Sequence, residues 1–374
     1  MTPAGRFIIL TPGFPRDEGD TTCIPALQQF LLALRKVRPH LEIAVIAFQY
    51  PYDGGEYMWH GVKVTALGGA NQGQWRRLRT WARGCRRLRA LRRAGPTLGV
   101  LSLWLGECAL VGRFFCRRAG LPHFIWMSGQ DARADNHYLK RIKPEGSEII
   151  AMSDFLKAEL HRNFGITAGC VINNGVNEAV FPALNLGPRA IDILGVGALS
   201  PLKNYSAFLR LARELKRTHP HLSGVIAGEG PERAWLEGEI ESLGLKENVR
   251  LLGSLPHAQV LELMNQAKVF LHPSTYEGNS SALMEALCAG CRVASFCGLS
   301  DAGVENLVVC RDEAELLAVA RGWLAAPGLT ARRVVFNHMQ DTAHRIMSLY
   351  AEQMPASGVD VPGHRGVGEP LFKK

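Results

Sequence analysis

Residues 268–290 decide the fold, and they read KVFLHPSTYEGNSSALMEALCAG. The segment from Lys268 to His272 is apolar and β-branched, which predicts the end of a buried strand. The turn residues that follow predict a short polar loop. From Ser280 or Ser281 to Ala289 the spacing is helical, and Gly290 stands where a helix commonly ends. The stretch therefore predicts strand, loop and helix, the unit from which α/β sheets are built.

Two glutamates stand out in this stretch, Glu277 in the loop and Glu285 in the helix. At about 100° per residue, Glu285 points away from Leu283 and Leu287, so it is not a core residue. Its helix opens at the carboxyl end of a strand, where ligands bind in open α/β sheets. By spacing alone, the two acids fit a solvated loop and helix face as well as they fit a binding site.

Length and composition set the outer limits. With 374 residues, 47% of them apolar and 21% charged, the chain is long enough for two globular domains. Nine cysteines without a Cys and His cluster of zinc spacing indicate a reducing compartment, not a disulfide framework or a structural metal. The apolar run at residues 7–10 is too short for a signal peptide, and glycines interrupt the apolar window at 97–115. We therefore expect a cytoplasmic protein.

The order of the predicted elements is that of two parallel sheets. A strand at 6–10, a loop rich in turn residues, a helix at 24–37 and a strand at 41–47 form a βαβ unit. Further strands are predicted at residues 62–64, 99–105, 124–126, 148–152 and 170–172 and, beyond a linker at 187–189, at 191–196, 222–227, 249–252, 269–272 and 292–295. The fold class is thus α/β, with doubly wound Rossmann-like domains at residues 1–186 and 190–335 that face a cleft. A last helix at 337–353 and a disordered tail at 354–374 complete the prediction.

One segment accounts for the net charge of +9, because residues 76–93 hold nine arginines and no acid. One side of the predicted helix carries Trp75, Leu78, Trp81, Ala82, Cys85 and Leu88. Tryptophan and arginine on an amphipathic helix are typical of an interfacial membrane helix. Its membrane residues would be Trp75, Arg76, Arg77, Trp81, Arg83, Arg86 and Arg87. A packed helix with Trp75 and Trp81 in the core and a solvated basic face, or a nucleic-acid patch, are the alternatives.

Short motifs occur in both halves of the chain, and they are Ala151-Met152-Ser153, Val171 to Asn177 with Phe181, Val196 to Asn204, Ala227 to Pro231, Leu251-Leu252-Gly253, and Pro273-Ser274 with Glu277, Glu285 and Gly290. These motifs resemble those of glycosyltransferase family 4, the retaining enzymes of the GT-B fold. Each motif is short, but together they have the order and spacing of the family over most of residues 6–353. The resemblance implies the GT-B fold and a last helix that crosses back onto the first domain.

The resemblance also implies the roles of the donor-site residues. Glu285 would accept both ribose hydroxyls, Lys203 would stabilise charge on the leaving diphosphate, and Glu277 would contact the donor sugar near the reacting centre. Backbone amides at a helix start would bind the sugar or the phosphates. These further donor contacts are Gly278, Asn279, Ser280, Ser281, Gly230 and Gly13. Asp131 matches a sugar-contacting position by pattern, and a turn or N-cap role fits it equally well.

Three departures from the family pattern concern the donor site. Ala198 stands where the family has its phosphate-binding arginine, and Arg16 is a candidate to replace it. Asn279-Ser280 stands where Phe-Gly is common, and the loop at 301–306 is shorter than usual. The donor sugar and the completion of the phosphate site are therefore open. No metal is implied, because the chain has no Asp-x-Asp motif.

The sequence predicts a retaining glycosyltransferase that uses a nucleotide-diphosphate sugar and no other cofactor. Its acceptor would be a glycan or a lipid-linked molecule of cell-surface polysaccharide, lipopolysaccharide or glycolipid synthesis. If residues 75–93 bind anionic lipid, the enzyme would be peripheral on the inner face of the plasma membrane, and no nucleic-acid partner is expected. The alternatives are a nucleotide-sugar epimerase of GT-B fold, a non-enzymatic basic protein that binds membrane surfaces, and a dinucleotide-dependent oxidoreductase. The missing Gly-x-Gly-x-x-Gly in the first βα loop counts against the last.

Overall fold

A computed structural model describes residues 5–300, 303–326 and 331–353. The chain forms two α/β domains, each built on one sheet, and the predicted fold class is confirmed. The predicted tail at 354–374 lies outside the described residues. The nine cysteines are all free thiols. Within the described ranges, no helix combines the length and the apolar character that a membrane crossing requires.

The N-terminal domain is built on an eight-stranded sheet in the order β3-β4-β2-β1-β5-β6-β7-β8. The strands are β1 Arg6–Gly13, β2 Glu42–Tyr50, β3 Gly55–Trp59, β4 Val62–Ala66, β5 Thr97–Leu103, β6 His123–Met127, β7 Ile149–Ala151 and β8 Cys170–Val171. The helices are α1 Pro25–Val37, α2 Gln74–Arg93, α3 Glu107–Ala119, α4 Tyr138–Ile142 and α5 Asp154–Phe164. Helices cover both faces of the sheet, so β1 and β2 are apolar and buried over most of their length.

The second domain has a six-stranded parallel sheet in the order β11-β10-β9-β12-β13-β14. Its strands are β9 Ile191–Val196, β10 Gly224–Ala227, β11 Val249–Leu251, β12 Ala267–His272, β13 Arg292–Ser295 and β14 Leu307–Val309. Its helices are α6 Tyr205–Lys216, α7 Arg233–Ser242, α8 His257–Asn265, α9 Ser281–Cys288 and α10 Glu313–Ala325. The opening stretch of the sequence becomes β12, a loop and α9, as its pattern predicts.

The last helix, α11 Met339–Glu352, packs on the N-terminal domain. The Tyr350 ring is fully buried between Phe7 and Phe124, with ring centroids 4.9 and 5.0 Å away. Its hydroxyl donates a hydrogen bond of 2.7 Å to the Val100 carbonyl in β5. A side chain at Gly99 would place its Cβ 2.4 Å from the Tyr350 ring, so this glycine makes room for the helix. The chain therefore returns to its first domain after completing the second.

Two strands were missed by the sequence prediction, β3 and β14. The β3–β4 pair is the antiparallel edge of an otherwise parallel sheet. Its turn consists of His60 and Gly61, which both have positive φ values, 42° and 74°, as a tight hairpin turn requires. Most of β3 is exposed, so its sequence lacks the apolar run that marks the buried strands.

Candidate active site

The candidate site is a cavity of about 390 Å³ in the cleft between the two domains. The carboxyl ends of β5, β6 and β9 and the loop between β12 and α9 meet there. The N-terminal domain contributes Leu103, Trp104, Trp126, Ser128 and Asn174 to its lining, and the second domain contributes Ala198, Lys203, Glu277, Asn279, Ser280, Ser281 and Glu285. The structure thus brings together six residues that the sequence assigned to the donor site.

Glu277 is the most strongly perturbed acid of this cavity. Its carboxylate accepts hydrogen bonds from the Lys203 ammonium and from Nε2 of His272, the latter at 3.2 Å. Burial raises the pKa of Glu277, but the hydrogen bond from His272 and the Lys203 charge together lower it to about 2. Glu277 is therefore an anion at neutral pH and has no proton to give.

His272, the last residue of β12, is buried behind Glu277. Burial lowers the pKa of His272 even though Glu277 acts in the opposite direction. The neutral ring must carry its proton on Nε2 in order to donate to Glu277. His272 thus holds the carboxylate from the protein side, and Lys203 holds it from the cleft.

Glu285 lies one turn into α9 and has a partner that sequence reasoning missed. Its Oε1 lies 2.8 Å from Nε2 of His257, and both side chains are largely buried. Burial lowers the pKa of His257, but the hydrogen bond and the charge of Glu285 outweigh it and raise the pKa. The His257 amide also donates to Oγ1 of Thr21, in the N-terminal domain, at 3.2 Å. The pair is 28 residues apart in sequence and meets only because α8 packs on α9, so no local pattern signals it.

The loop that carries Glu277 is fastened to the N-terminal domain. The Ser153 hydroxyl donates to the Gly278 carbonyl, and the Asn174 amide donates to Oδ1 of Asn279 at 3.1 Å. Nδ2 of Asn174 donates to Oγ of Ser281 at 2.8 Å. Residues of two motifs in the first half of the chain therefore hold the loop that carries Glu277 across the cleft.

Several polar atoms around Glu277 are buried without a partner among the described residues. They are Nδ2 of Asn279, Oγ of Ser274 and the Tyr276 hydroxyl. In addition, the Ser280 side chain does not cap α9, which leaves the first amides of that helix open to an anion. Because unpaired buried polar groups are costly, a polar ligand that pairs with them gains affinity. Of these three residues, Asn279 is the one in the lining of the cavity.

The predicted phosphate site has one cation in the cavity lining. Among the described residues that line the cavity, Lys203 is the single lysine or arginine. Arg16 is exposed, and its Nε donates to the Tyr50 hydroxyl at 3.2 Å instead. Arg16 is therefore not in place to substitute for the arginine that Ala198 replaces.

Asp131 occupies the end of a short turn beside the cleft. Its Oδ2 accepts the backbone amides of Leu105 at 2.9 Å and Ser128 at 3.0 Å, which closes a capping box. Burial raises the pKa of Asp131 to about 7, although these two hydrogen bonds lower it. The described cavity lining includes Ser128 and not Asp131. The geometry favours the capping interpretation, and a contact with the donor sugar stays a prediction.

The three glycines of the predicted donor site have different surroundings. A Cβ at Gly278 would lie 2.8 Å from the backbone nitrogen of Gly129, so this glycine permits the loop to touch the N-terminal domain. A Cβ at Gly230 would lie 2.4 Å from the Leu199 carbonyl oxygen, so Gly230 packs two loops together. Gly13 lies at the end of β1 beside Tyr50. Neither Gly230 nor Gly13 belongs to the described lining of the cavity.

The apolar side predicted for the arginine-rich helix is only partly buried in α2. Trp75 is 82% exposed and Leu78 is 49% exposed. Trp81 is partly buried and donates its indole hydrogen to Glu107 at 2.8 Å, and Leu88 is fully buried. A core position for Trp75 is therefore wrong, because the first turn of α2 extends beyond the packed surface, whereas Trp81 packs as the alternative expected.

The arginines named as membrane residues also differ in their partners. Arg87 forms an ion pair of 2.7 Å with Glu56, and Arg83 donates to the Leu67 carbonyl at 3.3 Å. Arg76 bonds the side chain of Gln72, Arg77 is half-buried and Arg86 is exposed. The described residues contain no group of three or more His, Cys, Asp or Glu side chains placed to hold a metal ion. Independence from metal stays a prediction.

Comparison with known protein sequences gives partial matches. Residues 177–302 match the family model described as glycosyl transferases group 1. The chain is 30% identical over 250 residues to a glycogen synthase of Mycobacterium tuberculosis, which covers 64% of this chain and 60% of that protein. It is 31% identical over 165 residues to the 2-deoxystreptamine N-acetyl-D-glucosaminyltransferase of Niallia circulans, covering 44% and 39%. The chain thus spans 60% of the length of the first relative and 39% of the second.

Solved structures share the fold at low sequence identity. Sucrose-phosphate synthase from Thermosynechococcus elongatus matches with a TM-score of 0.70 at 15% identity, covering 93% of this chain and 97% of that one. Anabaena HepE, solved in complex with UDP and glucose, matches with a TM-score of 0.63 at 16% identity, covering 93% and 98%. Both matches extend over the two domains and confirm the GT-B architecture.

Proposed function

We propose that this chain, whose residues 177–302 match the family model of glycosyl transferases group 1, transfers a sugar from a nucleotide-diphosphate sugar to an acceptor with retention of configuration. The observation that carries the proposal is the Lys203–Glu277 ion pair beside Glu285 in one interdomain cavity. An ammonium, a fixed carboxylate and a second carboxylate on a helix are what a diphosphate, a reacting sugar and a ribose require.

Lys203 is proposed to bind the diphosphate and to stabilise the negative charge that builds up as the sugar bond breaks. It stands at the end of the short turn Pro201–Lys203 that follows β9, and it reaches Glu277 across the cavity. In the complex the ammonium would lie between the carboxylate and the phosphates. The open amides at the start of α9 would share the phosphate charge.

Glu277 is proposed to act as a permanent anion beside the reacting sugar carbon. Its lowered pKa excludes the role of general acid at neutral pH. Glycosyl transfer builds positive charge on the sugar ring, and a fixed carboxylate stabilises that charge. The Glu277 carboxylate would also orient the Lys203 ammonium. Neither role requires Glu277 to form a covalent bond.

Glu285 is proposed to accept the ribose hydroxyls of the donor. The bond to His257 holds one carboxylate oxygen, Oε1, and leaves the other for the ligand. Because the His257 amide also bonds Thr21 of the other domain, the orientation of Glu285 is coupled to the contact between the two domains.

A thermal-shift panel of nucleotide sugars tests donor binding, because a ligand that binds the folded protein raises the unfolding temperature. We expect at least one nucleotide sugar to stabilise the protein and Glu285→Ala to lose that stabilisation. Glu247→Ala removes an exposed glutamate of the same domain and should keep it. If the protein converts the stabilising nucleotide sugar into its epimer in the absence of an acceptor, the protein is an epimerase and the transfer proposal fails.

The acceptor is proposed to be lipid-linked or held at an anionic membrane surface on the cytoplasmic side. Support comes from the first turns of α2, where exposed Trp75 and Leu78 alternate with Arg76 and Arg79. We expect the protein to float with vesicles that contain phosphatidylglycerol, and less so as salt increases.

Two variants that replace exposed tryptophans by alanine on different domains test this membrane proposal in the vesicle flotation assay. Trp75→Ala with Leu78→Ala should abolish flotation, whereas Trp235→Ala, on the second domain, should not, although Trp235 is 68% exposed. Equal flotation of both variants would remove the membrane proposal without affecting the donor site.

A further inference from the structure

A second cavity, of about 430 Å³, lies between α2 and α3. Its lining includes Arg89, Arg92, Arg93, Arg118, Cys85 and Phe114. These residues belong to the C-terminal halves of two helices that begin at the cleft edge of the sheet. The cavity therefore lies toward the opposite edge of the N-terminal domain from the donor site, and we call it the arginine pocket.

The four arginines of the arginine pocket have no acidic partner. In the described ranges, no carboxylate lies within 4.0 Å of Arg89, Arg92, Arg93 or Arg118, whereas Arg87 on another side of α2 is paired with Glu56. Four like charges around one cavity repel each other, and that repulsion falls when an anion binds among them. The local charge therefore favours a ligand that carries more than one negative charge.

Helix capping does not account for these side chains. Basic residues near a helix C-terminus can complement its dipole and bond its last carbonyls. At the end of α2, however, the Leu91 carbonyl accepts its side-chain bond from Arg6 of β1 at 2.6 Å. The hydrogen bonds of the described residues include none from the side chains of Arg89, Arg92 or Arg93.

Arg118 is oriented by an aromatic ring. Its guanidinium carbon lies 3.7 Å from the centroid of the Phe114 ring, and Nη1 donates to the Phe114 carbonyl at 3.3 Å. Stacking fixes the plane of the guanidinium and leaves the rest of its edge for an anion. Phe114 is itself 48% exposed, so the pocket has an apolar wall beside its charges.

We propose that the arginine pocket binds a phosphate monoester or pyrophosphate group and that an apolar part of the ligand rests on Phe114. Arginine matches phosphate geometry with paired hydrogen bonds, and several arginines together select a dianion over a single charge. The site is separate from the donor cavity, so it does not depend on the proposed sugar transfer.

Calorimetric titration of matched variants tests the arginine pocket. The pocket variant is Arg89→Gln with Arg93→Gln, and the control is Arg117→Gln with Arg141→Gln, which removes the same charge from exposed positions of the same domain outside the pocket. The probe is dihexanoyl phosphatidic acid below its micelle concentration. We expect the pocket variant to raise its Kd at least tenfold and the control to stay within twofold of the wild type. Equal weakening of both variants, or no binding by the wild type, would overturn the proposal.

Inorganic pyrophosphate as a second probe distinguishes a lipid headgroup from a free phosphate. Lipid binding at least tenfold tighter than pyrophosphate, with both lost in the pocket variant, identifies a lipid phosphate. Equal affinities that are both lost in the pocket variant identify a soluble phosphate compound. Binding of a single-stranded oligonucleotide alone, without either phosphate probe, contradicts the proposed site.

Discussion

Glu277 receives bonds from Lys203 on one side and His272 on the other, and these two contacts determine its charge. A buried carboxylate without them would have a raised pKa, as Asp131 does nearby. The pKa is thus lowered for Glu277 and raised for Asp131, because the two acids have different partners. At the residue scale, the site is defined by which groups face each acid.

The contribution of Glu277 to the free energy of unfolding should depend on pH. Its pKa in the folded protein, about 2, lies below the ordinary value of 4.5, so the contribution is full above pH 4.5 and is lost as the pH falls from 4.5 towards 2. This difference corresponds to about 3 kcal/mol. Urea denaturation should show Glu277→Gln to be less stable than the wild type at pH 7, with a gap that narrows by about half at pH 3. A gap that does not change with pH would argue against the ion pair, and Glu247→Gln serves as the control.

His257 should govern donor affinity more than turnover, because it contacts Glu285, the carboxylate proposed to bind the ribose, and lies outside the proposed reacting centre. We expect His257→Ala to raise the KM for the nucleotide sugar about tenfold, or about 1.4 kcal/mol, with a nearly unchanged kcat. His257→Gln, which keeps a hydrogen-bond donor, should recover part of the loss. His221→Ala, an exposed histidine of the same domain, is the control. An unchanged KM in His257→Ala would show that Glu285 does not need this partner.

The sequence predicted a shared site for two acids and one lysine, and the structure places all three at one cavity, but the sequence did not predict what surrounds them. Glu277, Glu285 and Lys203 stand in motifs whose order carries the resemblance. His257 and His272 carry no such signal, because their roles arise from packing between elements distant in sequence. Arg16 was a reasonable candidate by charge, but its side chain is engaged by Tyr50.

Among the elements, buried strands were predicted most reliably and edges least. β1, β2 and β12 are continuous apolar runs because helices cover them on both sides. β3 is exposed, so it lacks such a run. In α2 the apolar positions are spaced regularly, but Trp75, Leu78 and Ala82 are exposed. Trp81 and Cys85 are partly buried, and Leu88 is fully buried. Periodicity shows which side of a helix is apolar, not how much of that side is covered.

Helix α11 should contribute measurably to the stability of the N-terminal domain. Removing the buried Tyr350 hydroxyl leaves the Val100 carbonyl without that bond, which should cost about 1–2 kcal/mol in Tyr350→Phe. Ser348→Ala, at an exposed position of the same helix, should change the free energy of unfolding by less than about 0.5 kcal/mol. Equal stability of the two variants in urea would show that the helix end does not depend on this contact.

At the scale of the whole molecule, the proposed donor site is a cavity lined by residues of both domains. The loop that carries Glu277 belongs to the second domain, but Ser153 and Asn174 of the first domain hold it. The sequence predicted two Rossmann-like units and a cleft from the order of strands and helices. The hydrogen bonds across the cleft could not be predicted, because they depend on how two separately folded sheets face each other.

The most direct test is transfer of a radiolabelled sugar from the nucleotide sugar that stabilises the protein. The acceptor would be a membrane or glycan extract of the cells that encode it. The wild type and Glu247→Gln should incorporate label at equal rates, and Glu277→Gln, shown by circular dichroism to be folded, should be slower by at least about 100-fold. Undiminished incorporation by Glu277→Gln, or no incorporation from any nucleotide sugar that binds, would contradict the proposed site and function.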